Sequence, residues 1–152
     1  MNKEYIIRNE RKEDYREVEN LTREAFWNVY RPGGQEHFVL NQFRSNPDFI
    51  PELDLVMELD GRIIGHVMFS KASITLAGKM KIHYHGEPPT AEVPYFLAQE
   101  LIPGYWGDRE GTYCPPAGYF VAEAQPEAFE AYEAGFPHKE KLRLPGQLTI
   151  DE

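Results

Sequence analysis

The stretch PELDLVMELDGRIIGHVMFSKASI, residues 51–74, decides how this chain is read. Leu53, Leu55, Met57 and Leu59 alternate with residues of mixed polarity, and after Asp60-Gly61 a second run from Ile63 to Phe69 is rich in branched and aromatic side chains. Such runs on either side of an Asp-Gly pair predict a β-hairpin. Both turn residues tolerate the positive φ angles of a type I′ turn, whose twist matches that of the strands, so the turn nearly sets the register.

Toward the N-terminus, Tyr5, Ile6 and Ile7 form a short strand candidate. Tyr15, Val18, Leu21, Ala25, Phe26 and Val29 follow at three- and four-residue steps, which predicts one apolar face of a helix with Arg16, Glu17, Glu19, Asn20 and Arg23 mostly opposite. Glu13 and Asp14 suit the positive end of its dipole, and Pro32-Gly33-Gly34 ends it. A second helix over about residues 35–44 stops before Pro47, since proline disfavours helical geometry in the residue ahead of it.

Toward the C-terminus, residues 73–76 read as extended and 79–85 as a strand, broken by Gly86-Glu87-Pro88-Pro89. VPYFLAQEL, residues 93–101, reads as a further strand, residues 103–116 as mostly loop, and 119–121 as a last short strand. Pro126 fits the first turn of a final helix that runs to about residue 134. The reading is therefore α/β: a mixed sheet flanked by helices in a single domain over residues 1–137, followed by a loosely anchored tail at 138–152.

At 152 residues the chain has the length of one domain, enough for a core without disulfides or a structural metal. Sixteen basic against twenty-five acidic residues give a net charge of −9, which argues against nucleic acid and anionic membranes as partners. Cys114 is the only cysteine, so neither an intrachain disulfide nor a cysteine zinc site can form. With no long apolar run near the start, a cytoplasmic location is expected.

In IIRNERKEDYREVENLTREAFW, RPGGQEHFV and NPDFIPELDLVMELDGRIIGHVMFSKASI the chain resembles the GNAT acetyltransferase superfamily, in particular its branch of small bacterial predicted N-acetyltransferases. VPYFLAQELIPG and AFEAYEAGFPHKEK are similar to that branch's last core strand and closing helix, so the resemblance spans about two-thirds of the chain. It implies a GNAT-like (acyl-CoA N-acyltransferase) fold. It also implies acetyl transfer from acetyl-CoA, as co-substrate, to the primary amine of a small molecule or peptide, without a metal.

The departures are specific. The superfamily holds the acetyl-CoA pyrophosphate on a glycine-rich loop, Q/R-x-x-G-x-G/A, at a helix N-terminus. Here Arg31-Pro32-Gly33-Gly34 gives way to Gln35 and Glu36, and no other glycine pair has the spacing. The strand-helix unit with a tyrosine general acid is missing too: MKIHYHGEPPTAE stands where roughly 60 residues of two such units are expected. The expectation is a centrally truncated GNAT-like chain that binds acetyl-CoA weakly or not at all. The alternative is a non-catalytic remnant acting as a binding or oligomerising module. Loss of the neighbouring unit would leave the hairpin an unpaired edge, and a homodimer is the expected remedy.

The resemblance places the acceptor-amine pocket at the Gly-Gly loop, which makes Glu36 and His37 the candidate proton acceptors. Trp27, Tyr30 and Phe38 are the candidate substrate-binding walls. Phe26 reads as core, and Trp27, off the apolar stripe, as the better pocket residue. His66 reads as a hydrogen-bonded strand residue. Tyr105, Trp106 and Tyr113 form an aromatic loop cluster that suits packing on the sheet or stacking on a ligand. His83 and His85 would share one face of a strand, but no third ligand stands near them and no metal is expected.

Overall fold

The structure is a computed structural model that describes residues 4–76, 82–84, 102–105, 107 and 111–147. Its described residues form a mixed α/β protein with two compact units, Met1–Ser70 with Ala117–Glu152, and Lys71–Pro116, where the sequence reads one domain over residues 1–137. The strand expected at 93–101, together with Trp106 and His85, lies outside the described residues.

In the first unit, β1 (Tyr5–Asn9), β2 (Leu55–Leu59) and β3 (Arg62–Val67) form an antiparallel sheet in that order. The hairpin closes through Asp60 and Gly61 at φ 53° and 77°, and Leu59 faces Arg62, as the Asp-Gly pair predicts. One irregularity follows. Glu58 pairs with Ile63 but Met57 pairs with Gly65, so Ile64 is an extra residue in β3, a β-bulge.

Paired residues share a face, which groups Arg8, Val56 and His66 with Ile6, Glu58 and Ile63 on one side of the sheet. On that side Val56 and Ile63 pack with Val18 and Leu40 in the core. Leu55, Met57 and Leu59, the alternating residues that announce the hairpin, lie on the opposite face and are only half-buried.

α1 (Tyr15–Phe26) and α2 (Glu36–Phe43) cover the packed face. The start of α1 is fixed by Asp14, whose carboxylate accepts the Arg11 N–H at 2.8 Å and pairs with Arg8 at 2.6 Å. Two residues assigned to the polar face of α1 are buried. Glu19 and Arg23 each have a buried or half-buried partner of opposite charge, Arg44 and Glu133, so neither side chain needs water.

The expected strand at 119–121 is instead a 3-10 turn, Ala117–Phe120, leading into α3 (Val121–Ala124). Gly118 explains how the turn lies against α2: a Cβ there would come within 2.6 Å of Asn46 Nδ2 and 2.9 Å of the Phe43 ring. α4 (Pro126–Glu133) follows, with proline in its first turn. Phe129 and Tyr132 from α4 pack their rings 5.5 and 5.3 Å from that of Phe38. The segment from residue 138, expected to be loosely anchored, hydrogen-bonds to the end of α1: Glu140 O accepts from Trp27 Nε1 and Asn28 Nδ2, and Asn28 Oδ1 accepts from Leu142 N.

The second unit contains β4 (Ser73–Leu76), β5 (Ile82–Tyr84) and β6 (Gly111–Cys114), in the order β4-β6-β5. β6 runs antiparallel to β4 and parallel to β5. It lies in the stretch read as loop, where Thr112 and Tyr113 supply the strand preference that the surrounding glycines and prolines obscure.

Candidate active site: a cleft beside a buried histidine–carboxylate chain

The first unit has a cleft of about 420 Å³ between α1, α2, the end of β3 and the turn that precedes α3. That volume falls in the range of small-molecule sites, roughly 300–1,000 Å³. Its walls are mainly apolar, with Phe26, Leu40, Phe43, Met68 and Phe120 prominent. Polar groups converge in two places: His66 on the β3 side, and Arg31, Glu36 and Glu123 toward the loop side.

His66 is 8 % exposed at its side chain, and its Nε2–H donates to Asp54 Oδ1 at 2.7 Å. The carboxylate fixes the tautomer, which leaves Nδ1 as the basic nitrogen of the neutral ring. Behind Asp54 lies Glu10, which is hydrogen-bonded to Asp54 and whose two oxygens accept from Arg44 at 2.7 and 2.9 Å. Burial pushes the Glu10 carboxyl up to about 7, because the bonds from Arg44 do not offset desolvation and the adjoining Asp54 carboxylate. Arg44 also donates to Glu19 at 2.6 Å and lies over the Tyr15 ring. A continuous polar chain thus runs from the core to the cleft.

Glu10, Asp54 and His66 offer ligand atoms within 4.8 Å of one another. Both Glu10 oxygens are engaged by a guanidinium, however, and a cation placed there would face Arg44 directly. His83 is in β5, with its expected companion His85 outside the described residues.

The expected site residues separate in space. Glu36, in the first turn of α2, lines the cleft, with Oε2 accepting the Gln35 N–H at 2.8 Å. His37, the next residue, points into the core at 0 % exposure and donates from Nε2 to Glu133 Oε2 at 2.7 Å. Phe136, Tyr132 and Phe129 surround its ring at 5.0, 5.7 and 6.1 Å, and its Nδ1 has no hydrogen-bond partner among the described residues. Burial holds the His37 pKa below its ordinary value even beside Glu133. Glu133 is in turn held below its usual carboxylate range: burial opposes this, but bonds from Arg23 and His37 prevail.

Phe38 is buried among the same rings. Trp27 stacks under Arg23 at 4.2 Å, and Tyr30 is exposed with its ring 6.0 Å from that of Phe26. Phe26, read as core, lines the cleft, and His66, a hydrogen-bonded strand residue as read, lines it as well. In the sequence, Gly65 beside His66 was the available signal for His66, because a glycine inside a strand marks a bulge or a close approach.

In the Gly33-Gly34 loop at the start of α2, two backbone N–H groups are engaged locally rather than free for a pyrophosphate. Gly33 N donates to Asn28 Oδ1 at 2.7 Å and Gln35 N is taken by Glu36. Those two groups are not available to the phosphates of acetyl-CoA. Among the described residues, no helix is long and apolar enough to cross a membrane. No family model matches this chain, and neither a curated protein nor a solved structure matches it.

Proposed function

We propose that this chain is the acceptor side of a GNAT-like N-acetyltransferase, with the cleft holding a primary amine and His66 taking a proton from its ammonium. The pairing of His66 with Asp54 at the edge of a cleft that also contains Glu36 carries the reading. A neutral amine is the nucleophile in acetyl transfer, so a base within reach is the contribution required of the acceptor side. Asp54 orients the ring and stabilises its protonated form, while the buried Glu10–Arg44 pair holds Asp54 in place. The order strand, two helices, hairpin in the first unit accords with a GNAT-like fold, centrally truncated. Acetyl-CoA is the co-substrate that the resemblance implies, although two N–H groups of the loop before α2 are already capped by side chains.

That same capping favours a second reading, a non-catalytic module that binds an amine or a second copy of the chain. β3 pairs only with β2 among the described residues, and Ile64, Val67 and Phe69 are exposed along and beyond it, which suits a homodimer through this edge.

Incubation with acetyl-CoA and a panel of amines, followed by release of the CoA thiol, separates the two. Transfer is expected to fall about a hundredfold or more in His66→Ala, the usual effect of removing a general base. The absence of both thiol release and a raised unfolding temperature with millimolar acetyl-CoA would rule out the transferase and leave the binding module. Sedimentation then reads the dimer directly, and a folded monomer rejects it.

A further inference from the structure

We propose that the cleft selects a primary monoamine carried on an aromatic or branched aliphatic body with no carboxylate. This rests on reading the cleft as an acceptor site and names the class of acceptor. The argument begins with the charges that line it. Two carboxylates, Glu36 and Glu123, face one guanidinium, Arg31, so without His66 the cleft is acidic.

Arg31 is already committed. Its Nη1 donates to Gln35 Oε1 at 2.9 Å and to Glu123 Oε1 at 3.1 Å. An amino-acid carboxylate entering the cleft would find its one arginine paired with Glu123 and the carboxylate of Glu36 repelling it. Glu36 is different: Oε2 accepts one backbone N–H, and no side-chain cation is paired with the carboxylate among the described residues. An ammonium is the complement to that group. It would also complement the chain as a whole, whose net charge of −9 favours the approach of cations.

The body of the ligand is set by what remains. Phe26, Val39, Leu40, Phe43, Met68 and Phe120 supply an apolar surface that a second ammonium or a sugar would desolvate against at a loss. A polyamine or an aminoglycoside is therefore disfavoured. An arylalkylamine would place its ammonium at Glu36 and its ring against the apolar wall that includes Phe26 and Phe43.

Calorimetric titration of the full chain with 2-phenylethylamine, 2-phenylethanol and phenylalanine tests this without acetyl-CoA. The amine is expected to bind, with the alcohol and the amino acid each weaker by about tenfold or more, the scale of one charge-assisted hydrogen bond. Glu36→Gln is expected to weaken the amine about tenfold and leave the alcohol unchanged. Equal binding of amine and alcohol, binding of phenylalanine as tight as the amine, or no binding of the amine each overturns the proposal. The ligand comparison needs no variant, so a Glu36→Gln chain that fails to fold leaves it intact. Amine binding without thiol release would reject acetyl transfer alone, and thiol release confined to polyamines would reject this amine class alone.

Discussion

His37 and His66 each hold a carboxylate oxygen at 2.7 Å, yet one is enclosed by three aromatic rings and the other borders a cleft. The contact is the same and the surroundings decide its use. Around His37, Arg23 and Glu133 complete an ion pair at the end of α4, and the ring is fully buried and does not line the cleft. At His66, the Nε2 side leads through Asp54 to Glu10 and Arg44, and the residue also lines the cleft. A histidine–carboxylate pair is therefore no mark of a site until the space beside it is known.

The largest effect is expected where the pair is dry. Glu133→Ala leaves Arg23 buried without its carboxylate and His37 without a hydrogen-bond partner, and should cost about 3–5 kcal/mol. Urea denaturation measures it, and a loss no greater than that of an average surface substitution would show that the α4 pair is not closed to water.

At the other histidine the stability cost should be smaller. His66→Ala removes one hydrogen bond to a charged group, about 1.5–3 kcal/mol, and the space it leaves opens into the existing cleft. The same denaturation experiment ranks the two, and a cost above that of Glu133→Ala would reverse the comparison.

The two regions should also differ in how they respond to pH. Glu10, with its carboxyl raised to about 7 from an ordinary 4.5, keeps its proton in the folded chain when the unfolded chain has lost it, so its region loses stability as pH rises between those values. His37 is depressed below its ordinary 6.5, so its region loses stability as pH falls below that value. Glu10→Gln removes the first dependence and leaves the second. The stability of the variant relative to the natural chain should therefore increase from about pH 5 to about pH 7. A difference that stays constant over that interval would mean that Glu10 is ionised in the fold.

Much of the first unit was legible in the sequence because local chemistry determines it. Asp60-Gly61 forms the turn, the apolar repeat forms α1, and proline opens α4, each within a few residues of its expected place. The buried charges were less legible. Glu19 and Arg23 look like solvent-facing residues until partners from Arg44 and Glu133 arrive, more than twenty residues away in one case and more than a hundred in the other. The candidate site was half legible. Glu36 is marked by the loop before it, but whether the following histidine enters the cleft depends on α4, which covers His37. Trp27 was set aside for the cleft because it lies off the apolar stripe, and that same position lets Glu140 and Arg23 claim it.

The bulge at Ile64 has a consequence of parity. Counted without interruption from the Asp-Gly turn, β3 would set Gly65 opposite Val56 and His66 opposite Leu55, with the imidazole on the outer face. The extra residue reverses this and brings His66 to the packed side, level with Val56. The placement of the basic group is thus recorded in the pairing of a strand as well as in its letters. A chain that paired Ile64 into the ladder would carry its histidine on the wrong surface, whereas one that lost position 64 would straighten the strand with Gly65 still opposite Met57 and His66 still opposite Val56.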